Sequence, residues 1–169
     1  MKKRLVVILS ALVLTFALTA CGGSGDGGSD GEAAKIWAGF YQAEVPEGYE
    51  VNELETEFVN PELNSQKIMI SIRHESAEEA ITSKIDLFPD THERLDDMTV
   101  GNYTWLVDVF QWTDGDSCNL FLDMGDGEHS LEINCFGLAI DSPEVTAFME
   151  SFALEDDAYN KFLEFANAE

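Results

Sequence analysis

Apolar and polar residues alternate in short runs through the central part of the chain, which indicates β-strands. We expect strands over 36–45 and 50–59, on either side of a Pro-Glu-Gly-Tyr turn, and a third strand over Lys67–Arg73. The alternation slips by one position near Glu53, so a bulge or a late strand start is expected there. A longer strand, 103–113, is apolar on both faces and is therefore predicted to lie at the centre of the sheet.

Three helices are predicted where the apolar period lengthens to three or four residues. The first starts at Ser76, which forms an S-x-x-E capping box with Glu79, and it stops before Pro89. The second starts at Ser142, and the third covers Asp157–Ala166.

The polar segment Pro89–Met98 between the first helix and the long strand is predicted to be a loop. With the hairpin described next, the pattern gives about six strands and three helices. It predicts one α+β domain over residues 35–169.

A hairpin is predicted around Asp126-Gly127, between strands 118–124 and 129–136. With a two-residue loop, Cys118 faces Cys135. Counting from a closing pair at 125 and 128, the two cysteines fall in the non-hydrogen-bonded class, with Cα atoms about 4.5 Å apart. We expect a disulfide between Cys118 and Cys135 if the protein is exported, and the alternative is two buried free thiols.

The same register separates the side chains of the hairpin into an apolar and a polar set. The cysteine face carries Leu120, Leu122, Leu131 and Ile133. The other face carries Asn119, Asp123, Ser130, Glu132 and Asn134. We expect the first set to point into the core.

The N-terminus has the layout of an export signal, with basic residues followed by an apolar run over 5–18. The tetrad Leu-Thr-Ala-Cys that ends at Cys21 resembles the bacterial lipobox, in which the cysteine becomes the first mature residue and receives a lipid. We expect residues 1–20 to be a lipoprotein signal peptide and residues 21–34 to be a lipidated cysteine with a flexible Gly/Ser/Asp tether. The alternative is a simple secretory signal with an incidental cysteine.

The chain carries 33 acidic and 9 basic residues, a formal net charge of -24. This charge excludes nucleic acid as a partner, because phosphate contacts need clustered Lys and Arg. The expected location is the cell membrane, with the lipid on Cys21 as the anchor and the acidic domain on the extracytoplasmic side.

Candidate chemistry is sparse, and we predict no catalytic residue, no cofactor and no metal ligand set. His74, His92 and His129 lie in different predicted elements and are expected to be ordinary surface or strand-end histidines. No serine lies in a nucleophile-elbow context, so a hydrolase is the third-ranked function.

Two weaker binding hypotheses come from acidic and aromatic residues. The first hypothesis is a calcium site formed by two acidic turns that are expected to be neighbours. Its carboxylates would be Asp114, Asp116, Asp123, Asp126 and Glu128. An aromatic groove for a glycan or peptide is another, and its residues would be Trp37, Tyr41, Tyr103, Trp105, Trp112 and Tyr159. In a small domain most of these aromatic residues are expected in the core.

The element order and several short motifs resemble the PsbP-like fold of small exported domains. The resemblance covers roughly residues 36–154 and rests on segments at 45–49, 76–79, 100–102 and 151–152. It implies a twisted antiparallel sheet with helices packed on its faces, and a role in binding or assembly. Residues 155–169 have no counterpart in it.

These observations lead to one expected function and one rival from another class. We expect a membrane-anchored extracytoplasmic lipoprotein that acts as a non-catalytic binding or assembly module for a protein partner. The rival is a receptor for a small soluble ligand such as calcium, a glycan or a peptide. A receptor requires a convergent pocket, whereas an adaptor requires a flat apolar patch.

Overall fold

The computed structural model describes residues 35–37, 39–112 and 115–166. The predicted signal peptide, Cys21 and the tether over 21–34 lie outside the described residues. The first strands are β1 (Lys35–Trp37), β2 (Tyr41–Glu44), β3 (Glu50–Val51), β4 (Glu57–Val59) and β5 (Lys67–Arg73). They are followed by α1 (Ala77–Leu87), β6 (His92–Arg94), β7 (Met98–Val100), β8 (Tyr103–Trp112), β9 (Gly115–Asp123) and β10 (Ser130–Phe136). The last elements are α2 (Pro143–Ser151), β11 (Ala153–Leu154) and α3 (Ala158–Ala166).

The α+β architecture is confirmed, but the main sheet has eight strands where about six were expected. Its order is β3-β4-β5-β10-β9-β8-β6, with β7 also paired to β8, and every pairing is antiparallel. A second sheet of three strands has the order β1-β2-β11. The extra strands come from short segments that pair with only one neighbour, such as β6 at the edge of the main sheet.

Two segments differ from the predicted strands for identifiable reasons. The run over 50–59 is interrupted by a turn, in which Asn52 Oδ1 accepts the Thr56 amide at 2.9 Å and Glu55 has a φ of 55°. The slip in alternation near Glu53 marks this turn. The predicted loop Pro89–Met98 contains β6, whose Glu93 and Arg94 are exposed and so leave no apolar alternation to detect.

The two faces of the main sheet have different covers. The cysteine face packs into the main core against α2 and the small sheet, and the largest buried side chains there include Trp105, Tyr41, Phe40, Phe58 and Phe148. The opposite face is covered by α1, through Ala77, Ala80 and Ile81 against Phe121.

Helix boundaries follow the predicted caps. Ser76 accepts the Glu79 amide and the Glu79 carboxylate accepts the Ser76 amide, which completes the capping box of α1. Ser142 caps α2 through the Val145 amide. None of the helices in the described part of the chain is long and apolar enough to cross a bilayer.

Candidate functional site

A cleft of about 710 Å³ lies at the end of the main sheet where β8 gives way to β9. Its walls are the turn between α1 and β6, the ends of β6, β8 and β9, and the segment between β10 and α2. The lining residues are Pro89, Asp90, Thr91, His92, Glu93, Val109, Phe110, Gln111, Asp116, Ser117, Ala139, Ile140 and Asp141. The cleft therefore combines apolar surface with several titratable groups.

The turn after α1 forms one wall because the helix stops at Phe88. The Phe88 carbonyl accepts the amides of Thr91 and His92, both at 3.1 Å, so the chain reverses directly into β6. Pro89 has no amide hydrogen to continue the helix. The Phe88 ring also stacks on the His92 ring, with centroids 5.4 Å apart.

The segment 139–141 forms another wall, and Gly137 directs it there. Gly137 has a φ of 63°, and a Cβ at this position would lie 2.9 Å from the Ser65 carbonyl oxygen. Both the backbone conformation and the close approach require glycine. The Gly137 amide donates to the Ser117 hydroxyl oxygen at 2.9 Å, which ties this wall to the start of β9.

His92 lines the cleft and is held by the buried carboxylate of Asp108. Its Nδ1 is 2.6 Å from Asp108 Oδ2, and the Asn119 side-chain amide donates to the same oxygen at 2.7 Å. Only 8% of the His92 side chain is exposed, and Asp108 is fully buried. The imidazole is parallel to the Phe110 ring within 8°, with centroids 4.7 Å apart.

This arrangement fixes what His92 offers to the cleft. A carboxylate can only accept hydrogen bonds, so Asp108 holds a proton on His92 Nδ1. No hydrogen-bond partner for His92 Nε2 is found within the described residues. His92 is a strand-end histidine, which is one of the two expected places, because β6 begins at it; its side chain is buried and does not lie on the surface. The sequence signal for this burial was Asp108, a carboxylate among the apolar residues of the long strand.

A second buried charged group lies under α1. Glu132 on β10 has a side chain only 2% exposed and forms ion pairs with Arg73 of β5 and Lys84 of α1. Lys84 also donates to Asn134 Oδ1 at 2.9 Å. Since Lys84 is on α1, these contacts attach the helix to the polar face of the sheet.

Two other histidines meet at the opposite end of β9. The rings of His74 and His129 have centroids 5.3 Å apart, and His129 stacks on Tyr159 of α3 at 3.7 Å. His129 Nδ1 lies 2.6 Å from Asp126 Oδ2. Two hydrogen bonds to the Asp126 carboxylate lower its pKa to about 2. The larger effect comes from the backbone amide of Glu128 and the next from the side chain of His129. Sequence spacing gave no indication of this contact.

The predicted cysteine register is confirmed, because Cys118 pairs with Cys135 and both are buried in the core. The predicted hydrogen-bonding class is wrong. The Met124 amide donates to the His129 carbonyl at 3.0 Å, so residues 124 and 129 form a hydrogen-bonded pair. Every second pair along the ladder belongs to the same class, and Cys118 and Cys135 are therefore a hydrogen-bonded pair, with Cα atoms about 5.5 Å apart. This distance is in the usual range for a disulfide.

Both thiols are free in this structure, and the disulfide stays a prediction. The pKa of the Cys135 thiol is raised well above its usual range. The largest cause is a hydrogen bond with Cys118, and the second is burial. Because the thiolate is the reactive form, the raised pKa and the burial of the Cys135 thiol make it a slow nucleophile in the folded reduced protein.

The acidic turns do not form the single calcium site that was considered. Asp116 is at the start of β9 and Asp123 is at its end, so the two turns lie at opposite ends of a nine-residue strand. Asp114 lies outside the described residues. Among the residues that the structure describes, no group of three or more His, Cys, Asp or Glu side chains could hold a metal ion.

The aromatic residues considered for a groove do not converge. Tyr41 and Trp105 are fully buried in the core, and Tyr103 accepts the Leu154 amide at 2.7 Å. Tyr159 stacks on a histidine instead, and the Trp37 side chain is outside the described set. Trp112 alone of the described candidates is strongly exposed, with 49% of its surface accessible.

No family model matches the chain, and no curated protein matches it. Among the solved structures that are similar to the chain is one from Bacteroides thetaiotaomicron, with a TM-score of 0.46 and 13% sequence identity. The similarity covers 76% of this chain and 50% of that protein, so the chain spans half the length of the structure it matches. A similarity of this size carries no argument about function.

Proposed function

We propose that this protein is a membrane-anchored extracytoplasmic lipoprotein whose domain is a non-catalytic binding module with its ligand site in the cleft beside His92. The cleft carries this proposal. Its volume of about 710 Å³ is typical of small-molecule sites, and Phe110, Val109 and Ile140 give it apolar surface beside a few polar groups. The resemblance to PsbP-like domains, which act in binding or assembly, agrees with a module of this kind.

A protein adaptor is the second candidate, and the exposed apolar residues favour it less. An adaptor surface needs a contiguous apolar patch. The large exposed apolar residues lie in several elements, and they are Leu54, Leu63, Leu87, Phe88, Leu95, Trp112 and Leu163. Phe88 and Trp112 lie at the cleft end of the sheet, where Phe88 stacks on His92, His92 stacks on Phe110, and Phe110 contacts Trp112. The volume and mixed lining of the cleft make a receptor for a small ligand the preferred candidate.

A hydrolase is the third candidate. The hydroxyl oxygen of Ser117, the serine that lines the cleft, accepts the Gly137 amide, whereas His92 is paired with Asp108. In the described ranges no serine hydrogen-bonds a histidine. A nucleophile activated by a neighbouring base is thus not formed.

Replacing Cys21 by serine tests the anchor. We expect Cys21→Ser to leave the protein unprocessed or to release it from the membrane fraction, because the modified thiol carries the lipid. Fractionation of the expressing cells and labelling with a radioactive fatty acid measure this. Ser24→Ala, in the predicted tether, is the matched control and should keep both the label and the membrane location. Full membrane retention and labelling of Cys21→Ser would contradict the proposal.

Filling the cleft tests the ligand site. Ala139 lines the cleft, and we expect Ala139→Trp to abolish retention of small molecules by occupying their space. The processed full-length protein is equilibrated with spent growth medium, washed and denatured, and the released compounds are identified by mass spectrometry. Thr82→Trp, on the exposed surface of α1, is the control. Equal retention by the wild type and Ala139→Trp would overturn the cleft as the binding site.

A further inference from the structure

Five ring side chains form a continuous row across the cleft end of the main sheet. We call it the aromatic row, and its members are Phe88, His92, Phe110, Trp112 and Phe136. The first three rings stack with centroids 5.4 and 4.7 Å apart. The Trp112 ring lies 6.3 Å from the Phe110 ring and 5.0 Å from the Phe136 ring. Each ring of the row is therefore held in place by a neighbouring ring.

Two rings of the aromatic row are exposed, and both border the cleft. Phe88 and Trp112 each expose nearly half of their surface, whereas Phe110 is buried. Pro89 and Gln111, which directly adjoin the two exposed rings in the sequence, line the cleft. Because Trp112 is already packed against other rings, stacking a ligand on it requires little ordering of the protein. The cleft thus has a preformed aromatic surface at its margin.

The exposed polar side chains of the cleft are mostly hydrogen-bond acceptors. They are Asp90, Thr91, Glu93, Gln111, Asp116 and Asp141. No lysine or arginine is among the lining residues that the structure describes, so an anionic ligand is repelled. The carboxylates are exposed and hydrated, so their charge alone holds a cation only weakly. A purely apolar ligand would remove their hydration and return no hydrogen bond.

The ligand that fits has an apolar face, hydroxyl donors and no net charge. We propose that the cleft binds a neutral saccharide of one or two rings, whose C–H face stacks on Trp112 while its hydroxyl groups donate hydrogen bonds to the exposed carboxylates. A volume of about 710 Å³ is in the range of pockets for ligands of this size. Among the rings that the sequence suggested for a groove, Trp112 alone belongs to the aromatic row. This inference rests on the proposed function, since it names the ligand class of the same cleft.

Calorimetric titration of the processed full-length protein tests the ligand class. The detergent must be a polyoxyethylene ether, because alkyl glycosides carry a sugar headgroup. The neutral probes are maltose, cellobiose, lactose and N,N′-diacetylchitobiose, and the charged probes are digalacturonic acid and butyltrimethylammonium. We expect at least one neutral disaccharide to bind more tightly than either charged probe. Its affinity should change less than about twofold between low and physiological ionic strength, because no ion pair forms.

Variants connect the binding to the named residues. Trp112→Ala should weaken binding of the disaccharide at least about fivefold, because the stacking surface is lost. Trp112→Phe keeps a ring at the same place and should weaken it less than Trp112→Ala does, which separates stacking from any loss of structure. Asp141→Ala removes one acceptor and should weaken binding about threefold. Leu54→Ala, an exposed apolar residue of the β3–β4 turn outside the cleft lining, is the control.

Three results would overturn the inference. They are absence of binding by all four neutral disaccharides, tighter binding of butyltrimethylammonium than of any disaccharide, and disaccharide binding that Trp112→Ala leaves unchanged. A compound without a sugar ring that is retained by the wild type and lost in Ala139→Trp would also overturn the saccharide ligand. That last result would leave the proposed function intact, so the two failures are distinguishable.

Discussion

Replacing Glu132 by alanine should lower the free energy of unfolding by about 3 kcal/mol. The substitution leaves Lys84, whose side chain is only 19% exposed, without its carboxylate partner under α1. Removing one member of a buried ion pair typically costs about 3–5 kcal/mol, because the remaining charge is desolvated and uncompensated. We expect the lower end of this range, since Arg73 is 42% exposed and regains hydration. Urea unfolding followed by tryptophan fluorescence measures the change.

A double substitution separates charge from packing at the same place. In Glu132→Leu with Lys84→Met, both charged groups are replaced by apolar ones of similar size, and buried pairs replaced in this way often lose little stability. We expect the double variant to recover most of what Glu132→Ala loses. A loss below about 1 kcal/mol for Glu132→Ala would mean that the buried ion pairs are not formed in solution.

The same ion pairs also position the cleft. The apolar contact of α1 with the sheet is small, formed by Ala77, Ala80 and Ile81 against Phe121, with Ile85 and Leu106 at its margin. The Lys84–Glu132 pair adds a second attachment near the C-terminal end of the helix, and the turn that follows forms one cleft wall. Lys84 therefore couples the stability of α1 to the geometry of the cleft, beside the Arg94–Glu78 ion pair that joins α1 to β6.

The sequence predicted features that depend on local period and local turns. The pairing of Cys118 with Cys135 follows from a side-chain period of two and one turn signal, and the structure has that register. The predicted hydrogen-bonding class of the cysteine pair was wrong, because that class is counted from the residues that close the hairpin loop. The structure closes the ladder with Met124 and His129 instead of 125 and 128.

The cleft was not predictable because it depends on which element covers which face. The polar residues Asn119 and Glu132 were expected to point away from the core, and they do, yet α1 covers them and they are buried. Periodicity tells which residues share a face but not what packs on it. The burial of His92 was missed for the same reason, since its exposed edge strand has no apolar pattern and its partner Asp108 is distant in sequence.

Oxidation of the cysteine pair should raise the free energy of unfolding by roughly 3 kcal/mol relative to the reduced protein, as expected for a loop of this length. Cys118 and Cys135 are directly paired across two adjacent strands, at a Cα separation of about 5.5 Å that a disulfide can span. Urea unfolding with and without reductant measures the difference. The double variant Cys118→Ala with Cys135→Ala should be insensitive to reductant.

The state of the pair must be read in unfolded protein, because burial and the raised pKa protect the native thiols from alkylation. Protein exported by the expressing cell is denatured with iodoacetamide present and without reductant, and its intact mass is measured. We expect no alkylation of Cys118 or Cys135. Alkylation of both residues would show that the pair leaves the cell as free thiols, and the core would then hold two sulfhydryl groups across the β9–β10 ladder. In that case reductant should leave the unfolding free energy unchanged, which makes the mass and the stability measurement two independent tests of one bond.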